Sequence, residues 1–158
     1  MKKKIFLQFA LVVLLFFVSN SLSAKKSDET VKSEITKTLE IWNSAGKSAN
    51  LDLAMSLFDN SANIMLVGSS NGEVFKGKDQ AKEWLTQLFG FGSFSWEMSR
   101  IDIDSNGKTA WVFVEGKMIV KFHQGGTKIT PYRFTGIMVK KKGVWKWRLF
   151  DGSVPEKG

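Results

Sequence analysis

The sequence predicts an α+β domain in which three N-terminal helices pack on a strongly curved antiparallel sheet. Three observations carry this. Apolar residues recur mainly at three- and four-residue spacing before Phe89, and at two-residue spacing after it. The links between the later segments, Asn106-Gly107, Gln124-Gly125-Gly126 and Lys142-Gly143, are short and contain glycine, which makes the strands sequential hairpins. Segment 93–104 changes phase midway, with Phe94, Trp96 and Met98 on one parity and Ile101 and Ile103 on the other. A bulge near Ser99-Arg100 restores one apolar face and bends the strand.

The elements follow in order. Lys2, Lys3 and Lys4 precede an apolar run from Ile5 to Val18, and the polar stretch Ser19 to Ala24 follows it. This is the pattern of a secretory signal peptide, cleaved after Ala24 or after Ser23, with an uncleaved anchor as the alternative. The remaining residues, 25–158, form one domain exported to the bacterial periplasm or the exterior, with no stable membrane span once the signal is removed. Val31, Ile35, Leu39 and Trp42 mark the first helix, with Asp28 as its cap and Gly46 as its stop. Leu51, Ala54, Met55 and Phe58 mark a short second helix capped by Asn50. A strand over 62–69, the turn Ser70-Asn71-Gly72 and a brief strand 73–76 lead into a third helix over 79–89. Strands are then expected over 93–104, 109–123, 128–142 and 144–154.

Composition removes several function classes. The chain has no cysteine, so disulfides, thiol catalysis, zinc-thiolate sites and a lipid-modified N-terminus are excluded. Thirteen phenylalanines and six tryptophans supply much of the core. Of the formal charge of +8, three units belong to the signal lysines, which leaves a modest excess scattered over strands and turns. No basic face with stacking aromatics points to nucleic acid. His123 is the single histidine, read as an exposed hairpin residue, and no metal site is expected. Asp102 to Gly107 begins like a calcium loop, but Phe113 stands where the bidentate glutamate is required, so a hairpin turn is expected instead. With no phosphate-binding glycine loop or nucleophile elbow, no cofactor is predicted.

The last strand points to a site. Trp145, Trp147, Leu149, Asp151 and Ser153 alternate onto one side, with Lys146 and Arg148 on the other. An acid at the end of an apolar stripe is expected at the mouth of a pocket. Asp151 has two readings, a pocket carboxylate acting as base or ligand anchor, or a structural ion pair with Arg133 on the neighbouring strand. Tyr132 offers a phenol donor or is a surface aromatic, and Asn63 offers a neutral polar group. Trp42, Trp84, Trp96, Trp145 and Trp147 line either the core or the pocket. In segment 109–123, Trp111, Phe113 and Ile119 lie opposite the core face, which predicts that the outer side of the sheet is covered by a second subunit, a homodimer.

Three helices followed by a bent sheet and a final W-x-W-x-L-x-D-x-S strand is an order similar to the SnoaL-like branch of the nuclear-transport-factor-2-like superfamily. The resemblance spans most of residues 29–155. Its best local matches are Glu73-Val74-Phe75-Lys76-Gly77-Lys78-Asp79-Gln80-Ala81 and Gly143-Val144-Trp145-Lys146-Trp147. It implies a cone-shaped half-barrel of sheet closed by helices. Asp151-Gly152-Ser153-Val154-Pro155 falls where relatives often have His-x-Ser-x-Pro. Ketosteroid isomerases of this superfamily carry a general-base aspartate on the strand after the second helix, and here that strand, Ala62 to Val67, has no acid. The fold hosts isomerases, dehydratases, cyclases and non-enzymatic binders. The expected function is binding of a small hydrophobic or amphipathic molecule in a pocket between helices and sheet. The alternatives are an acid–base enzyme using Asp151 and an envelope protein-interaction module.

Overall fold

The computed structural model describes residues 28–156. The expected signal peptide, residues 1–24, lies outside the described residues. Helix α1 spans 28–47, and helix α2 is Leu51–Ser56. Strands β1 (Met65–Val67) and β2 (Val74–Lys76) precede helix α3 (Gly77–Phe91). Four long strands complete the chain: β3 (Gly92–Asn106), β4 (Thr109–Phe122), β5 (Thr127–Lys141) and β6 (Val144–Ser153). Among the described residues, three helices and one six-stranded sheet, in the order β2-β1-β6-β5-β4-β3, match the predicted α+β architecture.

Local chemistry accounts for the boundaries. Asn50 caps α2 as expected, its side chain accepting from the Leu53 amide at 2.9 Å. Gly46 does not end α1 but sits inside it. A Cβ there would come 2.4 Å from the Phe94 carbonyl oxygen, so the glycine lets the helix touch the sheet. The stop is Ala49, in the left-handed region at φ 47°. Ala49 N–H donates to Gly46 O and Asn50 N–H to Ala45 O, a Schellman closure built without glycine at the left-handed position. Asp28 pairs with Lys32 at 3.1 Å within the first described turn.

The hairpins β3–β4, β4–β5 and β5–β6 are antiparallel, as their short links predict. β1 is shorter than the expected 62–69 and pairs in parallel with β6, so the sheet is mixed. The chain approaches that edge through residues 57–59, where Asp59 N–H donates to Trp147 O and Trp147 N–H to Leu57 O. This bridge positions β1 to continue beside β6 in the same direction.

Two bulges shape the sheet. The register between β3 and β4 shifts at Met98/Arg100, leaving Ser99 as the extra residue where the phase change predicts it. Ser99 Oγ donates to Glu115 O at 3.0 Å, and Gly116 opposite leaves room for the Glu97 carbonyl. A second shift falls in β6, where Ile137 pairs with Leu149 and Met138 with Trp147, so Arg148 is extra. Its guanidinium forms an ion pair with Asp59, which is only 7% exposed. This bulge corrects the expected stripe. Trp145 and Trp147 face the core, and beyond the bulge Phe150 and Gly152 take their place. Leu149, Asp151 and Ser153 turn to the outer face.

The core lies between α1, α3 and the inner sheet face. Ile35, Leu39 and Trp42 of α1 and Leu85 of α3 meet Val114, Phe134, Trp147 and Phe150. Phe134 stacks on Phe150 with centroids 5.1 Å apart, and Trp42 stacks on Trp96 at 5.7 Å. The indole N–H groups of Trp42, Trp96 and Trp147 have no hydrogen-bond acceptor among the described residues, and each ring has an edge-on aromatic neighbour. Two polar contacts fix α1 in place. The Asn43 amide donates to Trp96 O at 3.0 Å and accepts from Trp96 N–H at 2.8 Å. Glu34 accepts from Lys140 Nζ at 2.6 Å and Trp145 Nε1 at 2.8 Å. The Lys140 hydrogen bond, then that of Trp145, holds the Glu34 carboxyl below its ordinary value.

Candidate functional site

A cavity of about 190 Å³ opens between the helical layer and the sheet. Trp42 and Gly46 of α1 and Trp84, Leu85, Leu88 and Phe89 of α3 form its helical wall. Phe94 and Trp96 of β3, Met118 of β4, Tyr132 of β5 and Phe150 of β6 form its sheet wall. The β1–β2 turn closes the rim with Ser69, Ser70 and Glu73. An apolar cavity of roughly 150 Å³ takes one benzene ring, so this space suits a ring or two of ligand and not a large molecule.

Two oxygen-bearing side chains give the site its chemistry. Tyr132 is buried, and its hydroxyl has no hydrogen-bond partner among the described residues. The ring lies over Gly152, where a Cβ would stand 1.9 Å from the phenol oxygen. Burial, and then the charges of Glu73 and Asp151, raise the phenol far above its usual value of 10.0. Tyr132 is therefore a neutral hydrogen-bond donor at physiological pH and not a base. Glu73 is the carboxylate at the cavity rim, its Oε2 accepting from the Ser70 amide at 2.9 Å. Gly68 makes room for it, since a Cβ there would fall 2.1 Å from Glu73 Oε2.

The predicted site residues separate into groups. Trp42, Trp84, Trp96 and Tyr132 come together around the cavity. Trp145 and Trp147 are core residues outside its lining. Asn63 is exposed in the turn before β1 and does not reach the cavity. Asp151 and Arg133 lie on the outer face, because the Arg148 bulge reverses the parity of Asp151, while Arg133 alternates opposite buried Tyr132 and Phe134. The expected ion pair between them is replaced by a hydrogen bond from Arg133 Nε to Ser153 Oγ at 3.2 Å. Asp151 thus leaves the pocket mouth where the simple alternation placed it. The sequence pattern does not single out Glu73, which reads as an ordinary charge flanking a short strand. Its one available signal is its place at the head of the Glu73–Ala81 segment that carries the family resemblance. His123 is exposed at the end of β4, its Nε2 donating to Phe89 O at 2.9 Å. Among the described residues no three His, Asp or Glu side chains gather to hold a metal. Nor is any described helix long and apolar enough to cross a membrane.

Three helices on one sheet, closing a small aromatic cavity with one phenol and one carboxylate, make a domain of the α+β class. More particularly, residues 35–156 match the model of the SnoaL-like domain, and the chain belongs to that family. Solved structures agree on the fold. A nuclear transport factor 2-like superfamily protein from Salmonella enterica is 21% identical, with a TM-score of 0.72 over 82% of this chain and 94% of that one. A provisionally assigned dehydratase of the same superfamily from Streptomyces avermitilis is 12% identical, with a TM-score of 0.74 over 82% and 99%. A provisionally assigned scytalone dehydratase from Novosphingobium aromaticivorans is 17% identical, with a TM-score of 0.72 over 80% and 85%. No curated protein sequence matches the chain.

Proposed function

We propose that the mature chain is an exported binding domain that takes a small, flat, mainly apolar molecule with one hydrogen-bond acceptor. The observation that carries this reading is the unpartnered, neutral Tyr132 hydroxyl at an aromatic-walled cavity. A hydroxyl that makes no hydrogen bond within the described residues is free to donate to a ligand oxygen or to water. The aromatic walls favour a planar ligand, and Tyr132 meets its carbonyl or ether oxygen. Native mass spectrometry of protein purified from its own host is expected to find such a molecule bound. Tyr132→Phe should then weaken binding of that molecule roughly five- to tenfold by fluorescence titration. Equal affinity for both proteins would remove Tyr132 from the reading.

Glu73 at the same rim supports a second reading, an acid–base enzyme in which Glu73 takes the part first given to Asp151. Conversion of the bound molecule on prolonged incubation would favour it, and unchanged recovery favours simple binding.

We also propose that the outer sheet face pairs two copies of the chain. Trp111 is 50% exposed and Ile137 39%, and with Phe113 and Leu149 they line a concave, mainly apolar area on that face, edged by Asp102 and Asp104. Trp111→Glu is expected to convert a dimer into monomers by light scattering. A monomeric wild type would sink this interface and favour a different protein partner on the same face.

A further inference from the structure

One end of the sheet combines exposed apolar side chains with an excess of positive charge. Phe91, the last residue of α3, is 67% exposed, and Phe122, the last of β4, is 40% exposed. The two are neighbours, since Gly92 pairs with Phe122 and His123 N–H donates to Phe91 O at 3.0 Å. On the other side of the same hairpin, Ile129 is 60% exposed and pairs with Ile119. These side chains surround the turn at Gly125 and Gly126, both with positive φ.

The charges around this tip are of one sign. Lys121 and Lys128 are exposed beside the aromatics, and Lys117 lies one step further from the turn. From Gly116 to Phe150 the sequence contains no Asp or Glu, while every charged side chain in that stretch is Lys or Arg. The nearest acid on the adjoining strand is Glu97, which pairs across from Lys117. Core packing does not require this arrangement, because Phe91, Phe122 and Ile129 all project away from the core cluster. Ile119 and Ile129 share the outer sheet face with Trp111, but the tip lies at the far end of that face. Trp111 and Phe122 stand near opposite ends of β4, up to about 35 Å apart along a strand of ordinary rise.

We propose that the β4–β5 tip with the end of α3 docks on the surface of an anionic phospholipid bilayer. Phe91, Phe122 and Ile129 enter the boundary between headgroups and acyl chains, where aromatic and aliphatic side chains gain from burial. Lys117, Lys121 and Lys128 remain at headgroup level and attract the negative lipids. The inference does not depend on what the cavity binds.

The test is vesicle co-sedimentation at low and moderate salt. Vesicles are made of phosphatidylcholine alone, or of equal parts phosphatidylcholine and phosphatidylglycerol. The full chain and a chain beginning at Lys25 are compared, because residues 5–18 are themselves apolar. All helices, strands and core residues described here lie within 28–156, and so are retained in the shorter chain. Both wild-type proteins are expected to sediment with phosphatidylglycerol vesicles and to release as salt rises. The double variant Phe91→Ser/Phe122→Ser should lower partitioning of the shorter chain about tenfold. Lys121→Glu/Lys128→Glu should lower it at least as much on phosphatidylglycerol vesicles, and provides the test independently if the serine variant melts early. Absence of sedimentation by the shorter chain, or binding unchanged in both variants, overturns the proposal. So does lipid-free self-association that Phe91→Ser/Phe122→Ser abolishes, which would assign the tip to contacts between copies.

Discussion

Gly152→Ala is expected to destabilise the protein by about 2 kcal/mol and to abolish ligand retention in the cavity. The new methyl group would stand 1.9 Å from the Tyr132 hydroxyl and 2.9 Å from the carbon that bears it. Gly152 pairs with Phe134 inside the sheet, so its backbone has little freedom to retreat. The tyrosine ring must therefore move, and the nearest open space is the cavity itself. One added carbon thus strains the core and occupies the site together. Removing the hydroxyl relieves the closest of these contacts, so in a Tyr132→Phe background the same substitution should cost only about 1 kcal/mol. Denaturant unfolding of the four proteins in this cycle measures the coupling. Strict additivity would show that the ring does not rest on Gly152 in solution.

Gly116→Ala should be more damaging, at about 3 kcal/mol, a fall of roughly 10 °C in Tm for a domain of this size. Here the obstruction is main chain. An added Cβ would stand 1.8 Å from the Glu97 carbonyl oxygen, 2.9 Å from its carbon and 3.1 Å from the Ser99 nitrogen. No rotamer change relieves a clash with backbone, so the Ser99 bulge must open or β3 must part from β4. Gly90→Ala is the control. Nothing lies within 4 Å of a Cβ there, and an alanine near the end of α3 is expected to be neutral or to stabilise by up to about 1 kcal/mol. Similar melting of the two variants would mean that the close crossing at Gly116 is absent in solution.

The two bulges explain what the sequence discloses and what it hides. Ser99 is legible because aromatic and aliphatic residues on either side of it have opposite parity, and only an extra residue reconciles them. Arg148 is hidden because Trp145, Trp147 and Leu149 alternate without interruption while Phe150 is equally apolar. Either parity satisfies the pattern beyond Trp147. The choice is made by tertiary structure, in which Asp59 holds the Arg148 guanidinium and Phe150 fills the space beside Trp42 and Phe134. That one residue removes Asp151 from the core face.

The cavity was legible to the extent that its walls are made by periodic apolar residues. Trp42 and Trp84 follow from helical spacing, and Trp96 from strand alternation. Its polar edge was less so. Tyr132 follows from alternation only once its neighbours are known to be inward, and Glu73 depends on a turn folding back over Gly68. The parallel pairing of β1 with β6 is a long-range event between a three-residue strand and the end of the chain, and local propensity carries no trace of it.

The amide of Asn43, bonded both ways to the backbone of Trp96, has a mechanical consequence. Apolar helix-on-sheet contacts are slippery, since one methyl can replace another with little change in energy. A two-way amide contact permits no such exchange: sliding α1 by a single turn, about 5.4 Å, breaks both bonds at once. Asn43 therefore acts as a detent. It fixes how far the helix that carries Trp42 and Gly46 sits along the edge strand, and so gauges the depth of the cavity below it.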